Sequence, residues 1–371
     1  MKESNLFVEL LQVALGTRDV LSRVPTMHEW EKMLEEAERQ AVVGIMVSGM
    51  EKLPDNQRPP QMLLLQWIGI CQQIEVQNMV TTKACQQLCE QLEKDGLVAC
   101  VLKGQSNYRY YPSEMANRRS CGDIDVWIDG DVKKTLEYVD KHWERTGLCW
   151  LHCNFNERNG VLVEVHFHLS FMSEPSKNTR FQKHFSSAEA CGTWYELDGK
   201  KIPVLKTEED VVYQMNHLYR HLIDEGVGLR QVVDYYYLLR HYSEHELPSI
   251  DQKLFINKTI ERLGMKRFDG ALMYVLRALL GMPEEYLLCT ASEKDGKFLM
   301  NEILLSGNFG HGDPRMAAIS SRGYLSGRVS QAWRRFKRNM RFLTSYPGEV
   351  IWEPIVRVEH FVWKKLKLWR Y

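Results

Sequence analysis

One short stretch limits the fold more than any other part of the chain. Gly122-Asp123-Ile124-Asp125-Val126-Trp127-Ile128 sets polar against apolar residues with a period of two, the pattern of a β-strand with one buried face. On such a strand Asp123 and Asp125 project side by side, about 6–7 Å apart along the backbone, while Ile124 and Val126 turn inward. A second alternating stretch runs from Val161 to Leu169. There Val161, Val163, Val165, Phe167 and Leu169 share one side, and Glu164, His166 and His168 share the other. If the two strands are neighbours, three carboxylates converge.

On both sides of this region the hydrophobic period becomes helical. Leu6 to Ala14 reads as an apolar helix, and Thr26 with Glu29 forms a capping box before Trp30, Met33–Leu34, Ala37 and Ala41. A loop at Pro54–Pro60 precedes a long helix over 61–94, which Asp95-Gly96 ends. Leu97–Leu102 then reads as a buried strand, Val132–His142 as a helix, and Leu148–Phe155 as a strand pairing with the second alternating stretch across Asn156–Gly160. From Thr207 the helical period returns, broken at Gly226 and Gly228 and again at Gly307–Gly312. The expected organisation is a helical region over 1–95, an α/β core over 96–205 and a helical region over 206–371. This is an α+β protein, with a small core on a mixed β-sheet flanked by helices at both ends.

Converging carboxylates repel one another and raise each other's pKa unless a cation holds them. Hard oxygen donors favour Mg²⁺, and such clusters suit two-metal catalysis at phosphorus. A bare Asp-x-Asp is equally a strand end with solvated carboxylates. The residues upstream point toward phosphate. Leu102-Lys103-Gly104 ends an apolar strand, and Gln105–Tyr110 reads as the start of a helix. Glycine there lets backbone approach a ligand, a helix N-terminus offers free N–H groups, and Lys103 adds a mobile charge. Arg118 and Arg119 arrive just before the aspartates.

Taken together, Leu102-Lys103-Gly104, Tyr111-Pro112, Arg119, Gly122-Asp123-Ile124-Asp125 and Glu164-Val165-His166 resemble the uncharacterised nucleotidyltransferase family of the polymerase-β-type superfamily. Trp30, His217, His221, Leu229-Arg230 and Asp234 extend the likeness into the flanks. The resemblance implies transfer of a nucleoside monophosphate from an NTP, with ATP the expected donor, to an acceptor hydroxyl, with release of pyrophosphate. It implies two Mg²⁺ ions, with Mn²⁺ as a substitute. Asp123 and Asp125 would be the metal pair, and Glu164 the third carboxylate, as ligand or as base. Gly104 and the turn after it would seat the triphosphate, with Lys103, Arg119, Gly122 and His166 completing the nucleotide set. The superfamily usually has Gly-Ser or Gly-Gly after its first strand; here Ser106 comes one residue late, and the third carboxylate is Glu rather than Asp.

Other residues have plainer readings beside the chemical one. His168 is a strand-face histidine, and His217 and His221 share a helix face without an evident third zinc ligand, although Glu225 lies one further step along. Asp234 has Arg230 four residues before it, the spacing of an intrahelical pair. The nine cysteines form no zinc-ribbon spacing and read as reduced thiols. With no signal-peptide pattern and no apolar run long enough to span a bilayer, a cytoplasmic protein is expected.

Charge matters only once it is mapped. The chain has 48 Lys+Arg and 48 Asp+Glu, which excludes a protein that coats polyanions by bulk charge. Yet residues 322–371 hold twelve Lys/Arg against three Glu, +9, leaving −9 for the rest. Trp333, Phe336, Met340 and Leu343, then Phe361–Val362, Leu366 and Trp369, add an apolar stripe. A basic amphipathic tail of this kind fits an acidic protein surface, an anionic membrane or nucleic acid. It leaves open a competing reading, a non-catalytic nucleotide-binding or scaffold protein of the same fold that is membrane-associated through the tail.

Overall fold

The structure is a computed structural model describing residues 5–157, 159–186, 188–310, 313, 315 and 324–366. In chain order the helices are α1 (Leu6–Leu15), α2 (Met27–Arg39), α3 (Val43–Lys52), α4 (Gln61–Lys94), α5 (Ser113–Ala116), α6 (Val132–His142) and α7 (Pro175–His184). They continue as α8 (Thr207–Asp224), α9 (Leu229–His241), α10 (Ile250–Arg262), α11 (Lys266–Leu280), α12 (Glu293–Ser306), α13 (Tyr324–Phe342) and α14 (Pro347–Lys365). The strands are β1 (Ala99–Val101), β2 (Ile124–Ile128), β3 (Arg145–Leu148), β4 (His152–Asn156), β5 (Leu162–His166), β6 (Thr193–Leu197) and β7 (Lys200–Val204). They form one mixed sheet in the order β3-β4-β5-β2-β1-β7-β6. The expected α+β fold, with helices flanking a mixed sheet, is what the chain adopts.

Local chemistry sets several of these limits. The Thr26 side chain accepts the Glu29 N–H while the Glu29 carboxylate accepts the Thr26 N–H at 2.8 Å, so the capping box starts α2. Asp131 caps α6 by accepting the Lys133 and Lys134 N–H groups. Gly96, with φ +74°, stops α4. Three strands lie outside the sequence expectation. These are β3 and the β6–β7 hairpin, whose turn residues Asp198 and Gly199 both have positive φ, as a two-residue hairpin requires. The segment after Gly104 also differs: Gly104–Tyr110 is a 3₁₀ helix, not the start of an α-helix.

The chain forms two compact units. The first comprises Met1–Glu75, Arg118–Ser120 and Leu218–Pro347; the second comprises Val76–Asn117, Cys121–His217 and Gly348–Tyr371. The first unit is helical, with a core that includes Trp30, Trp67, Tyr235, Tyr236 and Phe268. Buried Gln40 joins three of its helices: its Oε1 accepts the Leu229 N–H at the start of α9, and its Nε2 donates to the Ile303 carbonyl on α12. Arg338 on α13 donates to the carbonyls of His221, Leu222 and Asp224, placing a cation on the C-terminal turn of α8.

The second unit holds the sheet. Val126, Val163, Val165 and Phe155 are fully or almost fully buried beneath it. At the start of α14, the Glu349 carboxylate accepts the Ser173 N–H at 2.6 Å, which anchors that helix on the unit. A buried lock fixes the 3₁₀ segment to the start of α8. Arg109 Nη2 lies 2.9 Å from Asp210 Oδ2, the Tyr110 hydroxyl donates to the same oxygen at 2.7 Å, and Arg109 Nη1 donates to the Leu205 carbonyl.

Candidate active site

The candidate residues gather on the three central strands of the second unit. β2 runs parallel to β5 with Asp125 opposite Glu164 and Trp127 opposite His166. Residues directly opposite one another share a face, so this register brings Asp125, Glu164 and His166 to the same side. Lys103 follows just past the end of β1, where the Leu102 N–H bonds the Asp125 carbonyl, and its side chain reaches the same group, with Nζ 3.0 Å from Asp125 Oδ2.

The result is a compact charged group. Donor atoms of Asp123, Asp125 and Glu164 all lie within 4.8 Å of one another. Asp125 is fully buried, with Lys103 Nζ 3.0 Å from Oδ2 and His166 Nε2 3.0 Å from Oδ1. Burial works against its charge, but Lys103 and the His166 hydrogen bond outweigh burial and hold its carboxyl well below the usual range. Burial likewise opposes the Lys103 charge, and Asp125, Asp123 and Glu164 together overcome it, raising the amine's pKa. Burial pushes Glu164 up; the His166 hydrogen bond prevails, helped by His152 and Lys103 and opposed by Asp125, so its pKa ends lowered. His166 is buried and its pKa is nevertheless raised, through its bonds to Asp125 and Glu164. At neutral pH the Asp125 and Glu164 carboxylates are therefore ionised beside the Lys103 ammonium.

Gly104 follows Lys103 with φ +68°, and a Cβ there would fall 3.1 Å from Cys121 Sγ and 3.4 Å from the Asp123 carbonyl. A side chain at this position would be strained in its backbone and crowded by the loop that carries the aspartates. Ser106 is buried, and its hydroxyl has no hydrogen-bond partner among the described residues. Gly122 lies just before the pair, with open space where a side chain would be.

Arg119 belongs to the first unit. It is buried there, and its guanidinium forks onto both oxygens of Asp234, at 2.5 and 2.7 Å. Arg230, four residues before Asp234 on the same helix, donates to the Ser120 carbonyl. His168 lies beyond the end of β5 and is exposed. His221 pairs with Glu225 at 3.3 Å and draws its carboxyl down to about 2. Neither His217 nor His221 joins a group of three metal-type donors among the described residues.

Sequence reasoning passed over His152. It stands opposite His166 across the antiparallel β4–β5 pair, with ring centroids 5.1 Å apart and planes tilted by 15°. Its Nδ1 is 3.2 Å from Glu164 Oε2. The signal was the hairpin itself: strands joined across Asn156–Gly160 place 152 on the face of 164 and 166 by parity alone.

Of the basic tail, Arg322, Lys367, Trp369 and Arg370 lie outside the described residues. On α13 Trp333, Phe336 and Met340 are exposed, with the Trp333 and Phe336 rings stacked at 5.5 Å and Lys337 Nζ over Trp333. Phe361, Val362 and Leu366 are exposed at the end of the chain. All nine cysteines are free, and no helix among the described residues is long and apolar enough to cross a membrane.

No curated protein matches the chain. Among solved structures it is similar to an antigenic nucleotidyltransferase-like protein from Paracoccidioides brasiliensis, at 14% identity and a TM-score of 0.33, over 54% of this chain and 92% of that one. The model of the uncharacterised nucleotidyltransferase family matches residues 26–281, a stretch that takes in β1, the Asp-x-Asp strand β2 and β5. By this match the chain belongs to the uncharacterised nucleotidyltransferase family.

Proposed function

We propose that the protein transfers a nucleoside monophosphate from an NTP, ATP first among the candidates, to an acceptor hydroxyl and releases pyrophosphate. The observation that carries this reading is the convergence of the Asp123, Asp125 and Glu164 oxygens beside Lys103. The donor set fits Mg²⁺: three hard carboxylates, one fully buried, form a group whose charges call for a cation. Asp123 and Asp125 would hold the metal with Glu164, and when bound it would neutralise triphosphate charge and polarise the reacting phosphorus.

The chain's own groups supply the rest. Glu164 is ionised and partly exposed, so in place of binding the metal it can take the acceptor's proton. Lys103 sits among the carboxylates as a mobile cation for a phosphoryl oxygen. Gly104 keeps the backbone side of the site free of a side chain, and Gly122 does the same next to the aspartates. His166 holds Asp125 and Glu164 in place and thereby positions the nucleotide side of the site. Catalysis on this reading is positioning and charge neutralisation.

The test is pyrophosphate release from each of the four NTPs with Mg²⁺ and a panel of hydroxyl acceptors (sugars, peptides, RNA ends). We expect Mg²⁺-dependent release that Asp123→Asn combined with Asp125→Asn lowers by at least ~10³-fold. Turnover in that double variant at the wild-type rate would overturn the proposal. The competing reading, nucleotide binding without turnover, draws on Lys103: at 3.0 Å from Asp125 it is a built-in counter-ion. Calorimetric binding of Mg²⁺·ATP without release across the panel would favour it.

A further inference from the structure

We propose that His152, Glu164 and His166 form a second metal site, of a different chemical kind from the all-oxygen set, which takes a transition-metal ion of the Mn²⁺–Co²⁺–Zn²⁺ series. The inference concerns which ion the donors prefer and holds whether or not the protein turns over a nucleotide.

The geometry comes first. Donor atoms of the three residues lie within 4.8 Å of one another. Glu164 Oε2 is 3.2 Å from His152 Nδ1 and 3.7 Å from His166 Nε2. Two ligands bound to one ion at ~2.0–2.2 Å, at angles between square and tetrahedral, are roughly 3.0–3.5 Å apart. The His152–Glu164 separation falls inside that range and the His166–Glu164 separation lies just above it, so a small side-chain adjustment suffices.

Backbone register makes this a built arrangement. His152 and His166 are direct partners across β4 and β5, and their near-parallel rings come from adjacent strands. Glu164 lies two residues from His166 on the same face of β5. Three donors on two paired strands need no loop to order before an ion arrives.

Donor chemistry then separates the two sets. Asp123, Asp125 and Glu164 offer oxygen alone, which suits Mg²⁺. His152 and His166 offer imidazole nitrogen, which Mg²⁺ binds poorly and later first-row ions bind well. Asp125 Oδ1, 3.0 Å from His166 Nε2, stands at the border of the two sets, and Glu164 belongs to both. Asp123 belongs to the oxygen set only and His152 to the nitrogen set only, so these two residues tell the sets apart.

The experiment uses Co²⁺, whose visible absorption reports nitrogen coordination, titrated into the full-length metal-free protein with calorimetry in parallel. We expect Co²⁺ to bind at least roughly tenfold more tightly than Mg²⁺, with an absorption band that Mg²⁺ does not displace at equal concentration. His152→Ala should weaken Co²⁺ binding about tenfold or more and abolish the band, while Asp123→Asn leaves both within about threefold. His152→Gln, which keeps bulk and hydrogen-bonding capacity, replaces the alanine variant if that one does not fold by circular dichroism. Unchanged Co²⁺ affinity in either folded His152 variant overturns the proposal. A loss with Asp123→Asn as large as that with His152→Ala also overturns it, since the ion would then sit on the oxygen set. Binding without turnover would sink the transfer reaction alone and leave this site standing.

Discussion

Two buried aspartates in the second unit make opposite uses of a cation. Asp210 is held by the hydroxyl of Tyr110 and by the guanidinium of Arg109, which also donates to the Leu205 carbonyl. Asp125 is equally buried, but its cation is the single ammonium of Lys103, and its neighbours are two further carboxylates and a histidine. Arginine is permanently charged and binds as a rigid fork, whereas lysine is a point charge on a flexible stem that can change partners. The first arrangement closes on itself and joins two chain segments. The second keeps surplus negative charge next to one exchangeable cation, the condition a metal–nucleotide site needs. A buried ion pair is therefore a poor marker of function by itself, and the identity of the cation and the charge left over say more.

Removing the carboxylate charge should separate the two most strongly. Asp210→Asn leaves Arg109 buried and charged, and is expected to cost about 3–5 kcal/mol in urea unfolding, the usual result of stranding one buried partner. Asp125→Asn leaves Lys103 with Asp123 and Glu164 still near it, so the loss should be visibly smaller. Equal losses would break the contrast.

A third buried aspartate tests the role of the cation from the other side. Asp269, in the first turn of α11 in the first unit, has its carboxyl pushed up to about 6 by burial, with the Cys289 thiol only partly offsetting this. The folded state then keeps a proton that the unfolded chain has released, so stability falls as pH rises from about 4 through 6 and levels off beyond. Asp269→Asn should remove that slope, stabilising the protein by up to ~3 kcal/mol at pH 7.5 and hardly at all at pH 4. Urea midpoints at the two pH values measure it, and destabilisation at both would show that the carboxylate is held by more than burial disfavours.

The smallest expected effect concerns the exchangeable cation itself. Lys103→Gln should lower Mg²⁺·NTP turnover roughly 10²-fold, about 2.7 kcal/mol, while costing less unfolding free energy in urea than Asp210→Asn, because the His166 hydrogen bond still holds Asp125. A variant that unfolds, or that turns over normally, would place Lys103 in the same structural class as Arg109.

How much of this was legible in the sequence follows from how local each determinant is. β2 and α6 have the limits that alternation and helical period announce, because each carries its own signal in consecutive residues. The carboxylate convergence was legible for the same reason, once β2 and β5 were taken as neighbours. The β6–β7 hairpin has an Asp198-Gly199 turn, but its strands carry Glu196, Lys200, Lys201 and Pro203, and these dilute the pattern on strands that are half exposed. The segment after Gly104 reads as helical in the sequence. It becomes a 3₁₀ helix whose last two residues, Arg109 and Tyr110, are held by Asp210, a partner a hundred positions away that local propensity cannot include. The Arg119 partner is likewise beyond a local reading, since Asp234 lies on α9, far along the sequence.

The way the chain is shared between the units has a practical meaning for anyone wishing to move this core elsewhere. Three residues, Arg118–Ser120, leave the second unit's stretch to join the first, and the second unit's last segment returns from the far end of the chain at Gly348. A fragment excised as 96–205 would carry a buried arginine without its carboxylate and would leave the Ser173 N–H without Glu349. The sheet is thus interlaced with the rest of the polypeptide, and it is not a cassette. Any recombination of this core must respect those crossings, so a transplant has to take the outlying segments with the sheet.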